Sequence, residues 1–213
     1  MQKIKSIFIL FLLFFLFLFV TFVSYATSVS SDLSDNFFRL HIIANSNSKE
    51  DQELKLKIRD AVISYMNTLN YNNLSKEQAI NITEENLNNL KRTVEETIRD
   101  NGFKYSCNLE IGNYYFPTKY YGNISLPSGY YDALKINIGD AKGKNWWCSL
   151  YPPLCFTDVS SGVIDEESQE YLKNNLTDDE YILISKGNED IKIKFKIVEL
   201  ISKCYNSRPL RYT

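Results

Sequence analysis

The sequence predicts an α+β fold, in which a helical hairpin packs on a mainly antiparallel sheet. Three observations lead to this prediction. An uncharged apolar run opens the chain, two helical periodicities lie between residues 48 and 100, and apolar residues alternate with polar ones from residue 103 onward. Together they predict a single exported domain that follows an N-terminal hydrophobic segment.

The apolar run has the features of an export signal. Lys3 and Lys5 precede residues 7–23, which contain no charge and seven phenylalanines. Ser24-Tyr25-Ala26 places small residues where a signal peptidase requires them, which favours cleavage before Thr27. The run is also nearly long enough to cross a bilayer, so an uncleaved anchor remains open. We predict a signal or anchor over residues 1–26, a linker over 27–35 and one domain over 36–213.

Two helices follow a first predicted strand at residues 37–43. Ser48 precedes the first helix and resembles the start of a capping box with Asp51. The second helix is predicted to start at Ser75, where Ser75-Lys76-Glu77-Gln78 forms a capping box, and to end at Asn101-Gly102. One apolar stripe marks the first helix, and it comprises Leu54, Ile58, Ala61, Val62, Tyr65, Met66 and Leu69.

The rest of the chain changes to a β pattern and then back to helix. Residues 105–111 and 130–138 alternate as strands do, and turn residues separate them. Residues 165–176 predict a short helix. Residues 191–204 are interpreted as a helix, although residues 191–197 also alternate.

Residues 143–156 hold both tryptophans, two of the four cysteines and two of the five prolines. Pro152-Pro153 keeps the backbone extended, and a Cys148–Cys155 disulfide would close the segment into a braced loop. Strand neighbours point to opposite faces, so Trp146 and Trp147 cannot both sit in one core. Core packing is one interpretation of each tryptophan. The other is a partner-binding surface, for which the candidates are Trp146, Trp147, Tyr151, Pro152 and Pro153.

Charge and cysteine content narrow the class of protein. Without Lys3 and Lys5, 22 basic and 26 acidic residues remain, and no basic patch suggests nucleic acid. Four cysteines in an exported chain permit two disulfides. Among three possible pairings we choose Cys148–Cys155 together with Cys107–Cys204.

The sequence offers no catalytic, metal or cofactor site. His41 is the only histidine, and its place between apolar residues of a strand favours a structural role. The acidic run at residues 178–180 is interpreted as a solvated surface. One alternative function is an exported cell-wall or peptide enzyme that uses Cys148 or Cys155 with His41. Another is a structural or wall-associated module without a signalling role.

Two stretches resemble one family. The first is RLHIIANSNS at residues 39–48, which continues into DQELKLKIRD at 51–60; the second is NWWC at 145–148 with YPPLCF at 151–156. Both are similar to stage II sporulation protein R of endospore-forming Firmicutes. The resemblance implies a protein exported from the forespore into the space between the two membranes, secreted or membrane-anchored. It also implies a partner, the membrane-embedded aspartic protease that matures pro-sigma-E in the mother cell. The pair Cys107 and Cys204 has no counterpart that we can place in the family pattern.

Overall fold

The computed structural model describes residues 2–69, 74–121, 123–155 and 166–185. It begins with a long helix, α1 (Gln2–Ser34), whose side chains from residue 4 to residue 20 are exposed. The segment Ile4–Thr21 is long and apolar enough to cross a membrane. An apolar helix at this position indicates a signal peptide or an anchor.

Helix α1 includes most of the predicted linker at residues 27–35. The helix continues past Ala26 to Ser34, since neither glycine nor proline interrupts it. Its last turn also belongs to the fold, because Leu33 is buried in the core. The chain then turns at Asp35 and Asn36 and enters the first strand.

Among the described residues, four strands form the main sheet, in the spatial order β2-β5-β1-β6. A two-stranded hairpin, β3 with β4, forms a separate small sheet. The bounds are β1 Phe38–Ile43, β2 Cys107–Phe116, β3 Lys119–Tyr121, β4 Ile124–Leu126, β5 Gly129–Ile138 and β6 Asn145–Tyr151. The predicted strands near residues 37–43, 105–111 and 130–138 are confirmed.

The sheet is mixed rather than built only from hairpins. Strand β5 is antiparallel to β2 but parallel to β1, and β6 is antiparallel to β1. The parallel pair arises because a helical crossover leads from β1 to the other strands. The α+β class and the mainly antiparallel character of the sheet are confirmed.

Three helices make up the crossover: α2 Lys49–Thr68, α3 Lys76–Glu85 and α4 Leu87–Asp100. Ser48 accepts a hydrogen bond from the backbone N–H of Asp51, and Ser75 with Gln78 forms a complete capping box. The predicted second helix is broken at Asn86, whose side chain bonds Ile82 O and the Tyr65 hydroxyl. Helices α2 and α4 therefore form the helical hairpin that the sequence predicts, and α3 is a separate short helix between them in the sequence.

The core lies between these helices and one face of the sheet. Residues paired across strands share a face, so Leu40 of β1 lies beside Leu134 of β5, and Ile42 lies beside Ile136. All four are fully buried, together with Leu54, Ile58 and Val62 of α2 and Leu90, Val94 and Ile98 of α4. Burying one such side chain stabilises the fold by about 1.5–3 kcal/mol.

Two short helices lie within the described residues 166–185, after the sheet. Helix α5 (Glu166–Asn175) confirms the prediction for residues 165–176. Helix α6 (Asp178–Ser185) was missed, because its acidic start was interpreted as a solvated surface. Thr177 and Glu180 exchange backbone-to-side-chain hydrogen bonds of 2.8 and 3.3 Å, which is the geometry of a capping box. The helix expected at residues 191–204 lies outside the described residues.

Candidate functional site

Strand β6 and the loop that follows it carry every residue in the predicted partner-binding group. Cys148 and Cys155 form the predicted disulfide, with their Cα atoms 5.2 Å apart. The Tyr151–Pro152 peptide bond between them is cis. Cys107 forms no disulfide with any described residue, and its expected partner Cys204 lies outside the described residues.

The braced loop folds back onto the edge of the sheet. The N–H of Leu154 donates to Ser149 O at 3.0 Å, and the Tyr121 hydroxyl lies 3.3 Å from Trp147 O. Two backbone carbonyls of β6 thus accept hydrogen bonds from the loop and from β3, in addition to the hydrogen bonds between β6 and β1. An uncovered edge strand is a template for unwanted pairing, so the loop and the β3–β4 hairpin protect this edge.

The two tryptophans point to opposite faces, as the strand period requires. Trp146 pairs with Ile42 on the helix side, where the Arg59 guanidinium lies 4.3 Å from its ring centre. Trp147 pairs with His41 on the other side and stacks on the imidazole at 3.6 Å. Both rings are partly buried. Each ring therefore has a cationic or aromatic partner, and neither is wholly in the core nor wholly exposed.

Tyr151 and the prolines lie deeper than expected. Tyr151 is only 2% exposed, and its hydroxyl contacts Leu74 O and the Tyr171 hydroxyl. Its ring packs edge-to-face on Tyr171 of α5, with 5.1 Å between the ring centres. Pro152 is buried and Pro153 is partly buried. This corrects the expectation that Tyr151 is available at the surface.

Arg39 occupies the sheet face opposite the helices, and it is fully buried. Its guanidinium carbon lies 4.1 Å from the Phe116 ring centre and 4.7 Å from that of Tyr131. One guanidinium nitrogen (Nη2) donates to the Tyr121 hydroxyl at 2.6 Å, and Nε donates to Cys148 O at 3.4 Å. No carboxylate of the described residues pairs with it. Aromatic faces therefore compensate much of the charge, and Arg39 ties the β3–β4 hairpin to β6.

The Arg39 guanidinium and the rings of Phe116, Tyr121 and Tyr131 around it form an arginine cage. His41 lies next to this cage. Its Nε2 is 2.9 Å from the Asn145 side-chain oxygen, whereas its Nδ1 is buried and bonds to none of the described residues. Burial lowers the pKa of His41 to about 4; the Asn145 hydrogen bond opposes this, and the charges of Lys135 and Arg39 add to it. The ring is therefore neutral at pH 7. It serves as a platform for Trp147.

A polar cluster joins the two stretches that carry the family resemblance. The Asp51 carboxylate accepts hydrogen bonds from Asn45 at 2.9 Å and Ser46 at 2.6 Å. Burial alone would raise the pKa of Asp51, but hydrogen bonds from Ser46 and Asn45 hold it below its usual value. The N–H of Lys144, directly before β6, donates to the Asn47 side chain at 2.8 Å. Residues 44–51 and the start of β6 thus form one unit.

Comparison with known proteins decides the family. The family described as "Stage II sporulation protein R (spore_II_R)" matches residues 34–161, more than half of the chain. The protein named "Stage II sporulation protein R" of Bacillus subtilis (strain 168) is 35% identical over 187 residues, which covers 82% of this chain and 84% of the relative. The chain belongs to the stage II sporulation protein R family. No solved structure matches it.

The stage II sporulation protein R match begins at the last residue of α1 and includes the whole main sheet. It therefore contains the polar cluster, the arginine cage and the disulfide loop.

Sequence reasoning missed the role of Arg39, although a basic residue between apolar residues of a buried strand was a usable signal. The described ranges contain no group of three side chains able to hold a metal ion. Both sulfur atoms of the loop are committed to the disulfide.

Proposed function

We propose that this protein is an exported sporulation signal that activates the membrane-embedded aspartic protease converting pro-sigma-E to sigma-E in the mother cell. Membership of the stage II sporulation protein R family carries the proposal. The protein acts after export from the forespore into the space between the two membranes. It acts as a binding protein, without catalysis of its own and without a cofactor.

Two features of the molecule support the export step. The apolar part of α1 has the length of a membrane span, with Lys3 and Lys5 on the side that stays in the cytoplasm. The Cys148–Cys155 disulfide suits an oxidising compartment outside the cytoplasm. The domain is therefore proposed to reach its partner from outside the producing cell.

Activation requires a difference in affinity between two states of the protease. A ligand that binds the active and inactive states equally does not shift the equilibrium between them, however tightly it binds.

The predicted partner-binding residues stay a proposal, and their exposure indicates which of them could contact the protease. Trp147 and Pro153 keep accessible surface, whereas Tyr151 and Pro152 support the loop from inside. Trp147 is the residue we propose for the direct contact.

The alternative of an exported enzyme depends on a free thiol near His41. With the disulfide formed, neither Cys148 nor Cys155 has a thiol to activate. The low pKa of His41, about 4, also makes it a weak base. These observations favour the binding role.

Deletion and complementation in a spore-forming host test the proposal against a purely wall-associated role. We expect deletion of this protein to leave pro-sigma-E unprocessed, with processing restored by the full chain. A variant lacking residues 4–21 keeps Leu33 and the domain but lacks the apolar segment, and it should not restore processing. Normal processing in the deletion strain would contradict the proposal.

A further inference from the structure

Helix α1 leaves the domain at one end of the sheet. The Lys76 ammonium lies 3.4 Å from the carbonyl of Ser34, the last residue of α1, and 2.7 Å from the Asp132 carboxylate of β5. The helix packs against β5, and its side chains from residue 4 to residue 20 contact no other part of the described fold closely enough to be buried. With α1 in a membrane, this end of the sheet faces that membrane.

Two tyrosines occupy the same end of the sheet. Tyr130 of β5 pairs with Tyr115 of β2, and their rings meet edge-to-face with 5.6 Å between centres. Tyr130 is 50% exposed although it belongs to a strand of the main sheet. The next pair on this face is Asp132 with Asn113, which are hydrogen-bonded at 3.0 Å. Two strand residues span about 7 Å, so the tyrosines lie about 7 Å beyond the junction with α1.

The length of α1 places these rings near the lipid headgroups. From Val23, where the apolar run ends, to Ser34 the helix rises about 16 Å. If β5 runs in line with α1, which it contacts, the tyrosines project about 7 Å back toward the bilayer, and about 9 Å remains between their backbone and the apolar core of the membrane. The headgroup layer on each side is roughly 5–8 Å thick. Tyrosine suits this boundary, because its ring is apolar and its hydroxyl is polar.

We propose that Tyr115 and Tyr130 contact the lipid headgroup region and hold the domain against the membrane that α1 crosses. Lys76 pairs with Asp132 beside the tyrosines, and the Glu77 carboxylate lies close enough to interact with both. This group of charges has no excess of positive charge, so the contact needs no anionic lipid. This inference concerns the full chain with α1 intact and does not rest on the proposed protease partner.

Quenching by spin-labelled lipid tests the contact. The full chain, with Cys107→Ser and Cys204→Ser, is reconstituted into phosphatidylcholine vesicles that contain a headgroup-region nitroxide lipid. A fluorophore is attached at Asn113→Cys, beside the tyrosines, or at Asp140→Cys, an exposed position past the opposite end of β5. We expect quenching several-fold stronger at position 113 than at 140, and equal with or without phosphatidylglycerol.

Removing the rings separates a tyrosine contact from mere proximity. In Tyr115→Ser/Tyr130→Ser protein, quenching at position 113 should fall to the level at position 140. If circular dichroism shows that the double variant is unfolded, Tyr130→Ser alone serves the same purpose and should lower the quenching at 113. Equal quenching at 113 and 140 in the parent, or quenching at 113 that survives loss of the tyrosines, would overturn the proposal.

Discussion

At the scale of single residues, the burial of Tyr151 determines what its substitution does. The ring packs on Tyr171 and the hydroxyl contacts Leu74 O, so the side chain supports the loop from inside. We expect Tyr151→Ala to lower the free energy of unfolding by about 3–5 kcal/mol, as for other buried aromatic residues. Tyr151→Phe keeps the ring and should cost only about 1 kcal/mol. Urea unfolding measures both; a normally stable Tyr151→Ala protein would contradict this packing.

His41 makes stability depend on pH in a defined window. Its pKa is about 4 in the folded protein and 6.5 when unperturbed, so the unfolded chain binds more protons between these values. The contribution of His41 to the free energy of unfolding therefore rises with pH through this window. It is fully present above about pH 6.5 and is lost as the pH falls toward 4. The full effect is at most roughly 3 kcal/mol.

Urea unfolding at intervals from pH 5 to pH 7.5 measures this dependence. The matched control is His41→Phe, which keeps a ring beneath Trp147 but cannot titrate. We expect the parent to lose stability below pH 6.5 and the control to lose much less over the same interval. Parallel curves for the two proteins would show that His41 keeps an ordinary pKa in the fold.

The opposite faces of Trp146 and Trp147 could be predicted because the period of a strand is local. What covers each ring could not. Arg59, which lies over Trp146, comes from a helix 87 residues earlier in the sequence. Tyr151 is buried by Tyr171 of α5, beyond the braced loop. Such contacts depend on how separate elements dock, and no periodicity in the sequence records them.

At the scale of secondary-structure elements, the braced loop should stabilise the edge of the sheet. Closing a loop of about eight residues restricts the unfolded chain by roughly 2–3 kcal/mol in the chain-entropy model. We expect Cys148→Ala/Cys155→Ala to lose about that much, and Cys107→Ala to lose less. Thermal unfolding and peptide mapping without reduction measure the two effects. Free thiols at both loop positions in exported protein would contradict the bridge.

Helix ends that are marked by local capping groups were predictable, and helix breaks set by tertiary contacts were not. Ser48 and Ser75 cap α2 and α3 as their sequences indicate. The break at Asn86 depends partly on its bond to Tyr65 of α2, which is 21 residues away. Helix α6 carried a readable signal in Thr177 and Glu180, but the run of acidic residues was given more weight.

At the scale of the whole molecule, the α+β class followed from the order of patterns, whereas the parallel β1–β5 pair did not. Hairpin spacing predicts which neighbouring strands are antiparallel, but it is silent on where β1 inserts after a long crossover. Its insertion between β5 and β6 brings Arg39 and His41 beside Trp147. The candidate surface is therefore a product of topology as much as of the tryptophan motif.

Trp147 should matter for activation more than for folding. Trp147→Ala loses the stacking on His41, worth about 0.5–1.5 kcal/mol, and should remain folded. If the ring contacts the protease, its loss weakens binding by about 2 kcal/mol. The concentration of this protein that is required for activation then rises roughly thirtyfold. Tyr120→Ala, which removes a ring that is 52% exposed on β3, is the control and should leave the dose dependence unchanged. A folded Trp147→Ala protein with the parent's dose dependence would place the contact elsewhere, with the helix that begins at Lys49 as the next candidate.

A non-sporulating bacterium that produces this protein, the protease and pro-sigma-E shows whether the exported protein itself triggers the protease. The measurement is the fraction of pro-sigma-E converted to sigma-E. We expect conversion when the full chain is present, and none when it is omitted or when residues 4–21 are deleted to retain it in the cytoplasm. Conversion without this protein, or equal conversion with the retained variant, would show that the exported protein is not the trigger.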